Sequence, residues 1–328
     1  MRRPRPSLIA LAAALAISAC GGGDDTKAIT TTTGPATEAY GAQVASYDLA
    51  AGSPQRFLVG LVAPDEGLIV GGELLLDFRF LGADATETAQ RGDGDLTATD
   101  VPAVFTTVAD GVAPPAGAGP RTRKGEEGVG VYEATGVQFD TPGFWNVTVN
   151  GTVNNQPVEV TAAFQVAPEH GIVNTGDPAP RTANLLPGVP DAPPKAVDSR
   201  ADDDGTVPDP QLHELTVADA IATARPTLVV VSTPVFCVSR FCGPITDTVQ
   251  DLAATYAGQA SFIHIEVWRD FEAKKLNRGA AEWIYPNKDV DPSEPWVFLV
   301  DGSGTVVRRW DNVANGDDIE AALHGELG

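Results

Sequence analysis

Thr227-Leu-Val-Val-Val231 runs into Ser232-Thr-Pro-Val-Phe-Cys237-Val-Ser-Arg-Phe-Cys242-Gly-Pro244, and this stretch decides how the C-terminal part is read. The first five residues form a β-branched, almost wholly apolar run, as expected of a strand buried on both faces. After Pro244, apolar Ile245, Val249, Leu252, Ala253 and Tyr256 recur at helical spacing, and Gly258 suits the helix stop. Pro244 fits a first helical turn, where its missing N–H would be unpaired anyway. Two thiols therefore sit at a strand-to-helix junction. The unpaired N–H groups and positive dipole end of a helix start favour a thiolate there.

Working outward, Thr216-Val-Ala-Asp219 is a capping-box-like start of a helix that Pro226 ends. Residues 261–268 read as the next strand. Residues 296–300 and 305–310, joined by Asp301-Gly-Ser-Gly304, read as a hairpin, and residues 317–323 as a closing helix. The order β-α-β then β-β-α, with cysteines at the first junction, resembles a thioredoxin fold. Phe241-Cys242-Gly243-Pro244 resembles the Trp-Cys-Gly-Pro-Cys run of that family, and Glu294-Pro295-Trp296 resembles its cis-proline segment. Gly176-Asp-Pro-Ala-Pro180 resembles the entry of peroxiredoxin-like and membrane-tethered thioredoxin-like domains. The resemblance covers about residues 176–328. It implies an α/β thioredoxin-like fold and thiol–disulfide exchange.

The chain departs from that pattern. Ile245 stands where thioredoxins carry their second cysteine, and the partner lies upstream, giving Cys-x-x-x-x-Cys. Residues five apart in one helix are about 8–9 Å apart at Cα, beyond the roughly 7 Å limit of a disulfide. A bridge therefore requires Cys237 in a non-helical loop. Residues 227–231 also lack the buried acid that thioredoxins place below the site. The expected catalytic set is Cys242 as attacking thiolate, Cys237 as resolving thiol and Pro295 holding a substrate strand. The alternative is a non-catalytic binding or accessory lipoprotein in which Cys237–Cys242 is a structural staple.

Other chemistries fit less well. Peroxiredoxin activation needs Pro-x-x-x-Thr-x-x-Cys. Val235 takes the proline position before Cys242, although Ser239 suits the threonine one; before Cys237, Val230 takes the proline position and Pro234 the threonine one. Copper delivery needs Cys-x-x-x-Cys and a distal histidine. The spacing is one residue too long, and His264 reads as an ordinary strand residue between Phe262 and Glu266. His170 and His213 fall in connectors and His324 in the last helix. No cofactor and no metal are expected. Asp93 and Asp95 fail as a calcium loop because Val104 occupies position twelve. Asp198 and Asp202-Asp-Asp204 read as solvated acids of a connector. Trp268, Trp283 and Trp310 read as packing residues, with Trp296 set apart beside Pro295.

The N-terminus sets the compartment. Arg2, Arg3 and Arg5 precede an apolar run over residues 8–17, too short to span a membrane. Ile17-Ser18-Ala19-Cys20 resembles a bacterial lipobox, which implies a signal peptide over residues 1–19 and lipid on Cys20. Residues 20–39, rich in Gly, Asp and Thr, read as a flexible tether. The expected location is the extracytoplasmic face of the cell membrane, where disulfides persist. Cleavage after Ala19 would move the net charge from −22 to −25. Such a surface repels nucleic acid. The expected partners are the membrane, through Cys20, and a protein thiol or disulfide substrate or other envelope protein.

Residues 40–168 read as all-β. Strands are expected over residues 56–62, 73–80, 131–139, 144–149 and 158–166, with a turn near Asn150-Gly151 and a loop over residues 82–128. Residues 132–149 weakly resemble immunoglobulin-like domains of bacterial envelope proteins. Residues 169–211 read as a Pro/Asp-rich connector. The expected class is thus mixed and two-domain: an N-terminal immunoglobulin-like sandwich over residues 40–168 and a C-terminal thioredoxin-like fold over residues 212–328.

Overall fold

The computed structural model describes residues 40–63, 67–108, 112–190, 192–239, 241–286 and 293–327. The expected signal peptide, Cys20 and the tether lie outside the described residues. Among the described residues, no helix is long and apolar enough to cross a membrane.

The N-terminal part contains β1 (Gly41–Val44), β2 (Gln55–Val62), the short β3 (Ile69–Val70), β4 (Glu73–Gly82), α1 (Ala85–Arg91), β5 (Asp95–Thr107), the short β6 (Arg121–Thr122), β7 (Gly130–Val137), β8 (Gly143–Val153) and β9 (Gln156–Val166). Seven of these strands hydrogen-bond in one sheet, in the order β1-β2-β7-β5-β4-β8-β9. The sheet curls until its edge strands β1 and β9 meet, and Ala50 bridges to Ala167 beside them. Alternation drives the curl's filling: along β8, Trp145, Val147 and Val149 are buried and their neighbours less so. They enclose an aromatic centre of Phe57, Phe78, Phe139, Trp145 and Phe164. Phe57 and Phe78 meet edge to face at 4.9 Å between centroids, a favoured geometry for aromatic pairs. At one corner Gly143 has φ +138°, and a Cβ there would collide with the Gly82 carbonyl. Only glycine allows that approach of β8 to β4.

The C-terminal part carries a second sheet. Its elements are α2 (Pro194–Val197), a single 3-10 turn (Pro210–Leu212), α3 (Val217–Ala222), β10 (Thr227–Ser232), α4 (Cys242–Thr255), β11 (Ser261–Glu266), the hairpin β12 (Trp268–Asp270) with β13 (Lys275–Leu276), α5 (Arg278–Ile284), β14 (Trp296–Val300), β15 (Val306–Asp311) and α6 (Gly316–Glu326). The four-stranded sheet runs β11-β10-β14-β15 and has one parallel pair, β10 with β11. Residues 176–179 extend it, with Gly176 donating to the Val306 carbonyl and Ala179 to Gly304. One face packs on Ile245, Val249 and Ile319 of α4 and α6. The other packs on Ile221 of α3 and Trp283 of α5.

This overturns the expected fold class. The described residues are mostly β, with 39% strand and 19% helix. The N-terminal part is one nearly closed, barrel-like sheet rather than an immunoglobulin-like sandwich, because all seven strands pair in a single ladder. A clear α/β thioredoxin-like domain does not stand out either. Leu58 of β2 and Val131 of β7 enter the same core cluster as Leu228, Val230 and Ile245. The C-terminal sheet therefore completes one layer with barrel side chains rather than with helices alone.

Two local readings also change. The expected loop over residues 82–128 contains α1 and the 13-residue β5, which holds Val104. Asn150 and Gly151 lie inside β8, and the turn falls at Asn154-Asn155, whose φ values of 50° and 63° suit a two-residue type I′ hairpin.

Leu58→Ala should cost about 2–5 kcal/mol. Because Leu58 lies in the shared cluster, denaturant unfolding should shift as one transition by far-UV circular dichroism and by tryptophan fluorescence. A loss below about 1 kcal/mol would contradict the shared core.

Candidate functional site

Cys237 and Cys242 form a disulfide with 6.0 Å between their Cα atoms. That is within the usual range for a bridge. The helix that presents it, α4, begins at Cys242 itself, two residues before Pro244. Cys237 stays in the preceding loop, the placement that the five-residue spacing requires. Cys242 is fully buried, whereas Cys237 is partly exposed. Val235 and Val238 beside it are 54% and 92% exposed.

Backbone and side-chain hydrogen bonds hold the Cys242 end. Thr246 Oγ1 donates to the Cys242 carbonyl at 2.7 Å and lies 2.7 Å from Ser232 Oγ. The Cys237 end rests on Ser239, whose Oγ is 3.3 Å from Cys237 Sγ. Tyr47 of the N-terminal part reaches this region. Its hydroxyl donates to the Glu294 carbonyl at 3.0 Å and stands 2.8 Å from Asn312 Oδ1. Burial raises the Tyr47 pKa, against the effect of Ser239. The Glu294–Pro295 peptide is cis. Trp296 follows it, buried, 6.0 Å from Tyr47 between ring centroids. It also borders a cavity of about 490 Å³ at the seam of the two parts, lined by Asp48, Arg56, His170, Arg309 and Asp311.

The buried acids absent from β10 occur elsewhere. Glu266 ends β11 and accepts from Ser199 N–H at 2.9 Å and Trp268 N–H at 3.1 Å. Burial raises its pKa. Burial, and the charge of Glu266, push Glu294 up to about 7. The sequence did carry this signal: a strand buried on both faces leaves Glu266 nowhere to go but inward.

A second constellation was missed. Asp198, read as a solvated connector residue, is fully buried, as is Asp209. Asp198 follows α2, Asp209 and His213 flank the 3-10 turn, and His264 lies in β11. His213, read as a connector residue, and His264, which lies in a strand as read, are both buried, at 3% and 1% exposure. One donor atom from each of the four falls within 4.8 Å of the others. Arg200 clasps the carboxylates: its Nε stands 3.1 Å from Asp198 Oδ1, and its Nη2 stands 2.8 Å from Asp198 Oδ2 and also bonds Asp209 Oδ2. Its other arm lies 3.1 Å from Asp247 of α4. Although burial raises it, the Asp198 pKa is driven far below the ordinary range by His213, His264 and Arg200. Burial lowers the His213 pKa, but Asp198 and Asp209 outweigh it and raise the group.

The chain matches no protein-family model, no curated protein and no solved structure.

Glu294 generates a pH prediction. Its folded pKa of about 7 lies above the ordinary 4.5, so the native state binds the proton more tightly than the unfolded chain. Stability should therefore fall as pH rises from 4.5 to about 7. Glu294→Gln should flatten that part of the profile of melting temperature against pH. An unchanged slope would rule out Glu294 as its source.

Proposed function

We propose that this chain is a lipid-anchored protein of the extracytoplasmic membrane face that exchanges thiols and disulfides with protein substrates through Cys237 and Cys242. The observation that carries the reading is the bond itself: a disulfide at the first residue of a 14-residue helix, with one sulfur-bearing residue partly exposed. The lipid anchor rests on the residue pattern ending at Cys20.

Exposure favours entry at Cys237. A substrate thiolate attacks Cys237 Sγ, the S–S bond breaks, and Cys242 leaves as a thiolate, with a mixed disulfide on Cys237. A second substrate thiolate then attacks the substrate sulfur of that mixed disulfide. The substrate leaves oxidised, and the chain holds two reduced cysteines once the Cys237 sulfur takes a proton. The reverse sequence reduces a substrate disulfide. The Cys242 thiolate is a good leaving group because it forms at the positive end of α4. Burial of Cys242 favours this division over attack by Cys242. Val235 and Val238 offer an apolar surface for a substrate segment, and Pro295 and Trp296 border the same region through Tyr47.

The full-length chain should equilibrate with glutathione at a potential of roughly −120 to −270 mV, measured by thiol counting in a mass spectrometer. Cys237→Ser and Cys242→Ser should each abolish net insulin reduction. Only the variant retaining Cys237 should trap a mixed disulfide readily. A potential below about −300 mV, or unchanged exchange in both variants, would leave the bridge as a structural staple and reject the proposal.

Cys20→Ser should shift the chain from the membrane to the soluble fraction of cells expressing it. Retention in the membrane would remove the lipid anchor from the proposal.

A further inference from the structure

We propose that Asp198, Asp209, His213 and His264 form a closed four-ligand site for a divalent transition-metal ion, with Zn²⁺ the best fit to the donor set. The proposal stands apart from the thiol chemistry and uses neither cysteine.

Proton bookkeeping opens the argument. His264 Nε2 is 3.3 Å from the Ser232 carbonyl oxygen, which only accepts. The Nε2 therefore carries a proton, and the other nitrogen of a neutral ring presents a lone pair. That nitrogen, Nδ1, lies 3.3 Å from Asp198 Oδ2. A lone pair facing a carboxylate in a buried site requires a positive charge between them. A proton there would draw the pair to about 2.7–2.9 Å, the length of a charge-assisted bond. The observed separation is longer, and Nδ1 makes no hydrogen bond.

His213 repeats the pattern. Its Nε2 stands 3.5 Å from Asp198 Oδ2 and 3.3 Å from Asp209 Oδ1. It is hydrogen-bonded to neither, and Asp209 Oδ1 has no partner either. Three donor separations thus fall between 3.3 and 3.5 Å. Ligands bonded at about 2.0–2.1 Å to a tetrahedral centre stand about 3.3–3.4 Å apart. These donor pairs make no hydrogen bonds, and their separations are right for the edges of such a tetrahedron.

The surrounding groups suit a metal centre. Arg200 bonds both Asp198 oxygens and Asp209 Oδ2, so Asp209 Oδ1 is left unpartnered and Asp198 Oδ2 keeps its second lone pair for the centre. The Ser232 carbonyl fixes the His264 ring, as outer partners of ligating histidines do. Two imidazoles select against calcium and magnesium, which prefer all-oxygen shells. All four ligands are buried, so the site has the closed character of a structural centre. Two carboxylates and one guanidinium leave a net negative charge to receive the cation. The ion would join the segment bearing Asp198, Asp209 and His213 to His264 of the sheet.

The full-length chain, disulfide intact, is treated with chelator, dialysed and titrated with Zn²⁺ and Co²⁺. One Zn²⁺ per chain should be retained and should raise the melting temperature by about 5–10 °C at saturation. Co²⁺ should give the intense visible bands of four-coordinate geometry without thiolate charge-transfer absorption. Asp209→Asn and His213→Gln, checked for folding by circular dichroism, should each lose the ion and the thermal shift. Zn²⁺ held equally by both variants would assign binding to the acidic surface and overturn the proposal. So would a weak, six-coordinate Co²⁺ spectrum of the unaltered chain, whatever the variants do.

Discussion

Two carboxylates taken wholly out of water, Asp198 and Asp209, constrain everything around them. A buried carboxylate is tolerated only when it is paired and hydrogen-bonded. Arg200 meets both, and the two histidines close the other side. This demand explains why a segment rich in proline, glycine and aspartate is not a loose linker. Asp198, Ser199, Asp209 and His213 must lie against β11 for their charges and polar groups to be satisfied. Once there, Ser199 donates its N–H to Glu266, and its Oγ accepts from the N–H of Val235 at 3.2 Å. The buried segment thereby braces the loop that carries Cys237.

The seam between the two sheets obeys the same logic. Arg56 of β2 is forked onto Glu133 of β7 at 2.8 Å and reaches Asp311 of β15 at 3.3 Å and the Val313 carbonyl at 2.8 Å. Nearby, Arg309 bonds Asp48 at 2.7 Å and meets His170 Nδ1 at the same distance. Charged groups at this seam are neutralised across it, while Leu58 and Val131 supply apolar contact below. Neither sheet offers the other a purely polar or purely apolar face. The position of Tyr47 beside Glu294 and Ser239 follows from this docking, since Tyr47 belongs to the segment between β1 and β2.

What was legible in the sequence was local. The run at residues 227–231, the helix after the cysteines and the hairpin at residues 296–310 have strong patterns and form as read. The strand β5 lacked such a pattern. Ala103 is its sole fully buried residue, and Pro102 argues against a strand. Sheet closure was invisible because it depends on registers between distant strands and on close approach at Gly143, not on composition. The ligand set was hidden for the same reason, since Asp198 and His264 are separated by much of the C-terminal part. One clue was present. In Ser261-Phe-Ile-His-Ile-Glu266, every residue is buried, so His264 and Glu266 both needed interior partners. The alternation of His264 with Phe262 and Glu266 marked an ordinary strand residue and did not ask for those partners.

Ser232 connects the two constellations. Its carbonyl accepts from His264, and its hydroxyl meets Thr246. The Thr246 proton is committed to the Cys242 carbonyl, so the Ser232 hydroxyl must donate to Thr246. The result is a directed chain from the end of β10 to the first residue of α4. It ties the Cys242 backbone to the sheet whether or not its sulfur is bonded. Among the described residues Cys237 has no comparable tie: its loop is held through Ser239 and, at Val235, through Ser199. Opening the disulfide therefore releases the Cys237 side and leaves the helix in place. The mobile sulfur is then the accessible one, and the fixed sulfur is the one at the helix end. The proposed exchange would need that asymmetry, which arises from which hydroxyls are spent on the backbone of Cys242.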